Sequence, residues 1–381
     1  KECVDELGEE HGLTAPNGEE FKPCQPFNLM FETQVGPKQS SSNKAYLRPE
    51  TAQLIFSNFK HVRENARMTL PFGIAQTGKA FRNEISPRNF VFRSREFEQL
   101  EIEHFVHPDG DRDPSVDFDQ PITVYTAEEQ EGQGTGEKHR LTEMVDEEMT
   151  SWIAHYAGRH LSWLKGLDID LDNVRLREHL DDELAHYSST CWDIEYKFPF
   201  GWKEIMGLAD RGDFDLSQHI DHSGESLSVH DQDKEEHVIP EVACEPSLGV
   251  DRLFLTVLYD AYNEDGRGNA MLSLHPRLAP TTVAVFPLVR NDEDLYDKAE
   301  SVYEYVDDEL NAYWDEKGSI GRRYARQDER GTPYCVTVDF DSLDDDEVTI
   351  RFRDSTDQIR VPIEDVPETI KELQKDYPER R

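Results

Sequence analysis

Apolar positions change period several times along the 381-residue chain, and each change marks an element. Residues 1 to about 44 are polar and rich in Gly, Pro and Ser, which reads as loop with a short apolar anchor at Phe27 to Phe31. "AQTGKAFRNEI" and "EFEQLEIEHF" then alternate as two antiparallel strands joined by the loop Ser86 to Arg95. Helical spacing predicts helices over "LTEMVDEEMTSWIAHYAGRHLSWL" and "RLREHLDDELAHYS", and "CWDIEYKFPFGWKEIMGLADRGDFDLSQH" returns to strand-like patterning. Val250, Leu253, Val257 and Ala261 define an amphipathic helix in "SLGVDRLFLTVLYDAY". Beyond His275, "TTVAVFPLV" reads as a buried strand, and Leu295, Ala299, Val302, Val306, Leu310 and Tyr313 predict one long helix. "CVTVDF" and "VTIRFR" follow as strands around the turn-like "DSLDDDE", and "EDVPETIKELQ" is a closing helix.

A chain of this length exceeds one hydrophobic core. The pattern divides it at 276/277 into an α+β domain, residues 1–276, with an antiparallel sheet, and a smaller α/β domain, residues 277–381. From about 109 to 138 the composition turns to Asp, Glu, Gly, Gln and Pro, which predicts a surface insertion with little need for internal structure.

Charge alters the picture. Lys and Arg number 41 against 80 Asp and Glu, a net −39, which does not argue for nucleic-acid binding. In molar salt, where the Debye length is about 3 Å, such repulsion is screened, so the acidity reads as halophilic adaptation. The five cysteines (Cys3, Cys24, Cys191, Cys244, Cys335) contain no Cys-x-x-Cys, so no disulfide framework is indicated, zinc is not expected, and a reducing cytoplasm is. No apolar run nears the roughly 20 residues of a membrane span. The first residue is Lys1 rather than Met, which leads to the expectation of a missing N-terminal portion.

Chemistry concentrates between Phe81 and Phe105. Strand alternation puts Arg82 and Glu84 on one face, with Gln99, Glu101 and Glu103 sharing a face of the returning strand. Taken alone this fits a solvated salt-bridge ladder. The loop adds Arg88, Arg93 and Arg95, with Phe97 four residues after Arg93, so guanidinium groups and an aromatic face can meet phosphates and a base together.

These residues resemble the second signature of class II aminoacyl-tRNA synthetases, an Arg-x-Glu (Arg82 to Glu84), a loop, then Arg-x-x-x-Phe (Arg93 to Phe97). "EPSLGVDRLF", Glu245 to Phe254, is similar to the third signature. "FNLMFET", "YLRPETAQLIFSNF" and "GLADRGDFDLSQH" resemble the glycine-specific members of the archaeal and eukaryotic kind. The resemblance implies an α+β catalytic domain with a C-terminal α/β anticodon-binding domain. Its substrates would be glycine, ATP and tRNA(Gly), with Mg²⁺ on the phosphates.

By the same resemblance, Arg82 would hold the α-phosphate and the glycine carboxylate, and Arg93 and Arg252 the γ-phosphate. Phe97 would stack on adenine and Glu84 would contact its amino group, with Glu245 among the ATP and Mg²⁺ contacts. Glu50 and Glu101 would bind the ammonium, and Ser247 would crowd the α-carbon against a methyl group. Glu50 taken alone could instead cap a helix at Thr51. In the C-terminal domain the resemblance nominates Arg322, Arg323, Arg326, Arg351, Arg353 and Arg360 for tRNA contact, although arginine runs also serve as ion-pair sets. The first signature, which builds the family's dimer, should lie before Phe27 and is not found there, so a homodimer is expected only with the missing portion. The competing reading is a non-catalytic synthetase-like RNA-binding protein, and a small-molecule ligase without RNA is more distant. The intact set Arg82, Arg93 and Arg252 favours an enzyme.

Overall fold

The computed structural model describes residues 28–36, 43–109, 114–145, 148–185, 187–231, 235–264, 268–375 and 377. Cys3, Cys24 and most of the opening loop lie outside them. Helix α1 (Ala52–Ala66) buries Ala52, Ile55, Phe56 and Phe59, and stops at Arg67, whose left-handed backbone (φ 53°) lets its N–H reach the last carbonyls. The strands β1 (Phe72–Phe81) and β2 (Glu96–Val106) form the predicted antiparallel pair, and Phe59 packs on Phe105 at 4.7 Å between ring centroids. Arg82 and Glu84 fall just past β1: the Arg82 N–H donates to Arg95 and that of Glu84 to the Arg82 carbonyl, closing a turn.

Six more strands complete the sheet: β3 (Ile122–Tyr125), β4 (Glu137–His139), β5 (Val174–Glu178), β6 (Thr190–Phe198), β7 (Gly201–Asp210) and β8 (Glu241–Gly249). Their order is β1-β2-β8-β7-β6-β5-β3-β4, antiparallel throughout except for β3 with β5. Two expectations fail here. The acidic stretch builds the far edge of the sheet from Ile122 onward, because Phe118, Ile122 and Val124 supply buried apolar side chains that its composition hides. "RLREHLDDELAHYS" begins as strand β5, since Val174 and Leu176 alternate into the core and pair with β6. The predicted helix ahead of it is divided: Leu141–Met144 is short, and α2 (Ser151–Lys165) starts afresh where the Thr150 hydroxyl caps the Ile153 N–H.

Alternation along the central strands separates two faces. Trp192, Ile194, Met206, Leu208 and Cys244 pack on Ile153, Ala157 and Leu161 of α2. Asp193, Gly207, Glu245 and Ser247 point the other way, into a cavity. Helix α3 (Phe214–Ser223) follows β7, and α4 (Val250–Ala261) leaves β8 without a break.

The C-terminal region holds β9 (Val283–Pro287), α5 (Glu293–Asp307), β10 (Ala312–Trp314), α6 (Ile320–Arg330), β11 (Tyr334–Val338), β12 (Glu347–Phe352), β13 (Gln358–Pro362) and α7 (Val366–Lys375). The sheet order is β10-β9-β11-β12-β13. Leu295, Val302, Val306 and Ile370 cover one face; Ile320 and Tyr324 cover Ala284, Phe286 and Cys335 on the other. Helix α5 ends at Asp307, short of the predicted Tyr313, because residues 312–314 pair beside β9 instead. Periodicity missed α6, whose buried positions are Arg323, Gln327 and Asp328 rather than an apolar stripe.

Candidate active site

Register alone aligns a row of side chains across five strands. Glu101 on β2 stands opposite Ser247 on β8, Ser247 opposite Gly207 on β7, Gly207 opposite Asp193 on β6, and Asp193 opposite Arg177 on β5. The first four line a cavity of about 290 Å³, together with Glu50, Arg82, Glu84, Arg93, Phe97, Glu245 and Arg252. All nine residues expected to bind ATP or glycine therefore meet in one place, although they come from four separate segments.

At one end the groups are cationic. The Arg82 guanidinium lies 5.4 Å from the Phe97 ring centroid, and its Nε donates to the Pro49 carbonyl at 3.1 Å. Arg93 donates to Glu84 at 2.7 Å. Arg252, in the first turn of α4, sits over the Phe92 ring at 4.7 Å and pairs with Glu204 at 2.9 Å. Ion pairs thus pre-orient two of the three guanidiniums, in positions where incoming phosphate oxygens compete with carboxylates.

The other end is acidic. Glu101 is buried, and its Oε2 accepts the N–H of Thr51 at 2.6 Å, the N–H of Ala52 at 2.7 Å and the Thr51 hydroxyl, while Gln99 donates to Oε1. The helix-capping duty considered for Glu50 belongs to Glu101, which reaches the α1 N-terminus from the sheet. Glu50 accepts only from Gln53 at 3.0 Å among the bonds described and stays open to the cavity. Burial pushes the Glu101 carboxyl above its usual range, and the Thr51 hydroxyl pulls against that.

Sequence reasoning did not single out Arg211, the buried hub of this end. It donates twice to Asp215, at 2.8 and 3.0 Å, and to Glu245 at 2.9 Å, and lies 4.0 Å from Glu50. The Tyr187 ring covers it at 3.9 Å. Burial pushes the Glu245 carboxyl up to about 8 against the pull of Arg211, with Glu101 and Glu50 adding repulsion. Its ion pair with Arg211 joins Glu245 to the acidic end rather than to the guanidiniums expected to hold phosphate, which tells against the Mg²⁺ contact expected of it. Gly207 was missed too: a Cβ there would lie 2.8 Å from the Ser247 Oγ. His179, also on the cavity wall, bonds Asp193 at 2.8 Å, and that bond raises the imidazole to about 10.

The C-terminal arginines require correction. Arg323 is buried and donates to the carbonyls of Pro287 and Gly318. Arg351 is buried in a two-bond pair with Asp328, and Arg353 is buried on the carbonyls of Gly331 and Leu274, both at 2.8 Å. None of these three presents its guanidinium to an RNA. Arg326 is held by Asp315, and Arg360 by Asp339 and Asp345, so most of their donors are spent. Arg322 is exposed. In so acidic a domain all of these guanidiniums but that of Arg322 find a carboxylate or carbonyl nearby, and the ion-pair alternative describes most of this set.

Comparison with known proteins agrees with this geometry. Residues 31–261 match the tRNA synthetase class II core domain (G, H, P, S and T), and residues 282–373 match the anticodon binding domain. A glycine–tRNA ligase of Acetivibrio thermocellus is 44% identical over 363 residues, covering 94% of this chain and 70% of that protein. One from Clostridium acetobutylicum is 45% identical, covering 93% and 68%, and one from Staphylococcus aureus 42%, covering 98% and 73%. These relatives are bacterial, so they carry the glycine-specific grouping and not the archaeal or eukaryotic kinship expected from the sequence. A core domain matched over more than half of the chain and identity above 40% across most of both lengths place this chain in the class II aminoacyl-tRNA synthetases, within the glycine–tRNA ligase family.

Proposed function

We propose that the chain activates glycine with ATP and transfers the glycyl group to tRNA(Gly). The observation that carries this reading is the convergence of Arg82, Arg93 and Arg252 with Glu50, Glu101, Glu245 and Ser247 on one cavity. A glycine carboxylate oxygen attacks the α-phosphorus, the bond to the bridging oxygen breaks, and pyrophosphate leaves with the electron pair. The 3′-terminal hydroxyl of tRNA then attacks the glycyl carbonyl and AMP departs. Two anions must be brought together in the first step, so Arg82 is assigned to the α-phosphate and the glycine carboxylate, and Arg93 and Arg252 to the outer phosphates. Phe97 offers a stacking face for adenine, and Glu84 an acceptor for its amino group.

Mg²⁺ bound with ATP would neutralise charge on the phosphates. Glu204, beside Arg252 and only half-buried, suits an oxygen-seeking cation better than Glu245 does. At the opposite end Glu50, Glu101 and Glu245 supply the negative field for an ammonium group. Ser247, backed by Gly207, leaves the α-carbon no room for a methyl, and size exclusion suffices when the substrate is the smallest amino acid.

We assign residues 1–276 to catalysis and 277–381 to anticodon binding, with Arg322 as the arginine kept for RNA. The net charge of −39 supports a salt-adapted protein. No helix among the described residues is long and apolar enough to cross a membrane, and a cytoplasmic homodimer is part of the proposal. Glycine-dependent ATP–pyrophosphate exchange, assayed across KCl concentrations, is the test. Exchange with glycine and not alanine is the expected result; tRNA binding with no exchange under any salt would leave the non-catalytic RNA-binding reading in its place.

A further inference from the structure

The reaction outlined above makes no use of Glu103, two residues along β2 from Glu101 and on the same face. Its side chain is fully buried, and neither carboxylate oxygen receives a hydrogen bond. It is faced by Glu245 from β8, Arg211 from the turn after β7, Asp215 from α3 and Glu101 from its own strand, with Glu50 4.0 Å from Arg211. Arg211 is the one cation described among these five carboxylates, and its bonds go to Asp215 and Glu245. Full ionisation would set five negative charges around one positive, four of them on buried carboxylates, which such an enclosure does not sustain. Burial, then the charge of Glu245, drives the Glu103 carboxyl well above its ordinary range.

We propose that the buried pair Glu103 and Glu245 holds a proton while the cavity is empty and gives it up to solvent when the ammonium group of glycine arrives, which makes Glu103 a positioning residue coupling amino-acid binding to pH. This rests on the glycine-activating reading. The exchange balances: one positive charge enters beside Glu101 and Glu245, one proton leaves, and the net charge of the niche is unchanged. Glu103 does not line the cavity and acts through its two neighbours. An amino acid analogue without its positive charge cannot displace the proton, so the pair also rejects neutral ligands of glycine's size.

Calorimetric titration of the whole chain with glycine, in buffers of different ionisation heat near neutral pH, counts the protons released. Exchange kinetics across the same pH range give KM for glycine. The wild-type protein is expected to release a large fraction of one proton per glycine, with KM falling as pH rises through neutrality, by up to about tenfold per pH unit. Glu103→Gln, a fixed neutral mimic, should release far less and flatten the KM profile, and Glu103→Asp should restore both. Glycine binding by the wild type without proton release overturns the inference while leaving the glycine-activating reading intact, as does equal release by Glu103→Gln. No glycine-dependent heat and no exchange would remove both.

Discussion

At the residue scale, single atoms set the chemistry. Because a Cβ at Gly207 would lie 2.8 Å from the Ser247 Oγ, Gly207→Ala should push that hydroxyl into the glycine niche. We expect KM for glycine to rise by about tenfold or more, the factor that about 1.4 kcal/mol of lost binding represents, with a much smaller change in KM for ATP. Glu245 gives a pH signature. Its carboxyl, pushed up to about 8, retains a proton in the folded state that the unfolded chain has lost. A raised carboxyl contributes stability that is complete at low pH and disappears as pH climbs through the folded value. Ligand-free Glu245→Gln should therefore match the wild type near pH 5 and exceed it by about 1–3 kcal/mol near pH 8 in denaturant unfolding. Equal stability gaps at both pH values would contradict the assignment. The cationic residues and Glu50, Glu101 and Ser247 were legible because their spacing resembles the synthetase signatures. Arg211 and Glu103 were not, since a buried charge is defined by what surrounds it.

At the element scale, strands with clear alternation were read correctly, and failures fell where composition competes with pairing. Val174 and Leu176 share a segment with helix-favouring Arg and Glu, and only the ladders to β3 and β6 make them a strand. Helix α6 eluded periodicity because it buries charge. The same substitution of ion pairs for apolar contacts yields a prediction at the junction of the two matched regions. Arg353 ties the carbonyl of Leu274, ahead of the C-terminal sheet, to that of Gly331 after α6. Arg353→Met should leave both carbonyls without this donor and Asp354 without its cation, the Tyr377 hydroxyl remaining on it, and cost about 3 kcal/mol, seen as an earlier urea midpoint. An unchanged midpoint would show that this buried guanidinium is dispensable.

At the scale of the whole molecule, a net charge of −39 must be borne by a surface whose described arginines are largely committed to internal partners. Screening relieves repulsion among solvated carboxylates, so the unfolding temperature should climb with KCl into the molar range; a fall between low and molar salt would oppose the salt-adapted reading. With Arg322 left exposed on α6, Arg322→Glu should raise KM for tRNA(Gly) far more than it alters ATP–pyrophosphate exchange. The sequence by itself determined the class of fold, the two matched regions and most of the side chains that meet at the cavity, because short-range periodicity and signature spacing are properties of the chain read in one dimension. Tertiary structure alone decided which carboxylate caps α1, which arginines are sealed inside the C-terminal domain, and that five acids gather round Arg211. Desolvation and charge pairing depend on distances between segments far apart in sequence, and only the folded chain fixes those distances.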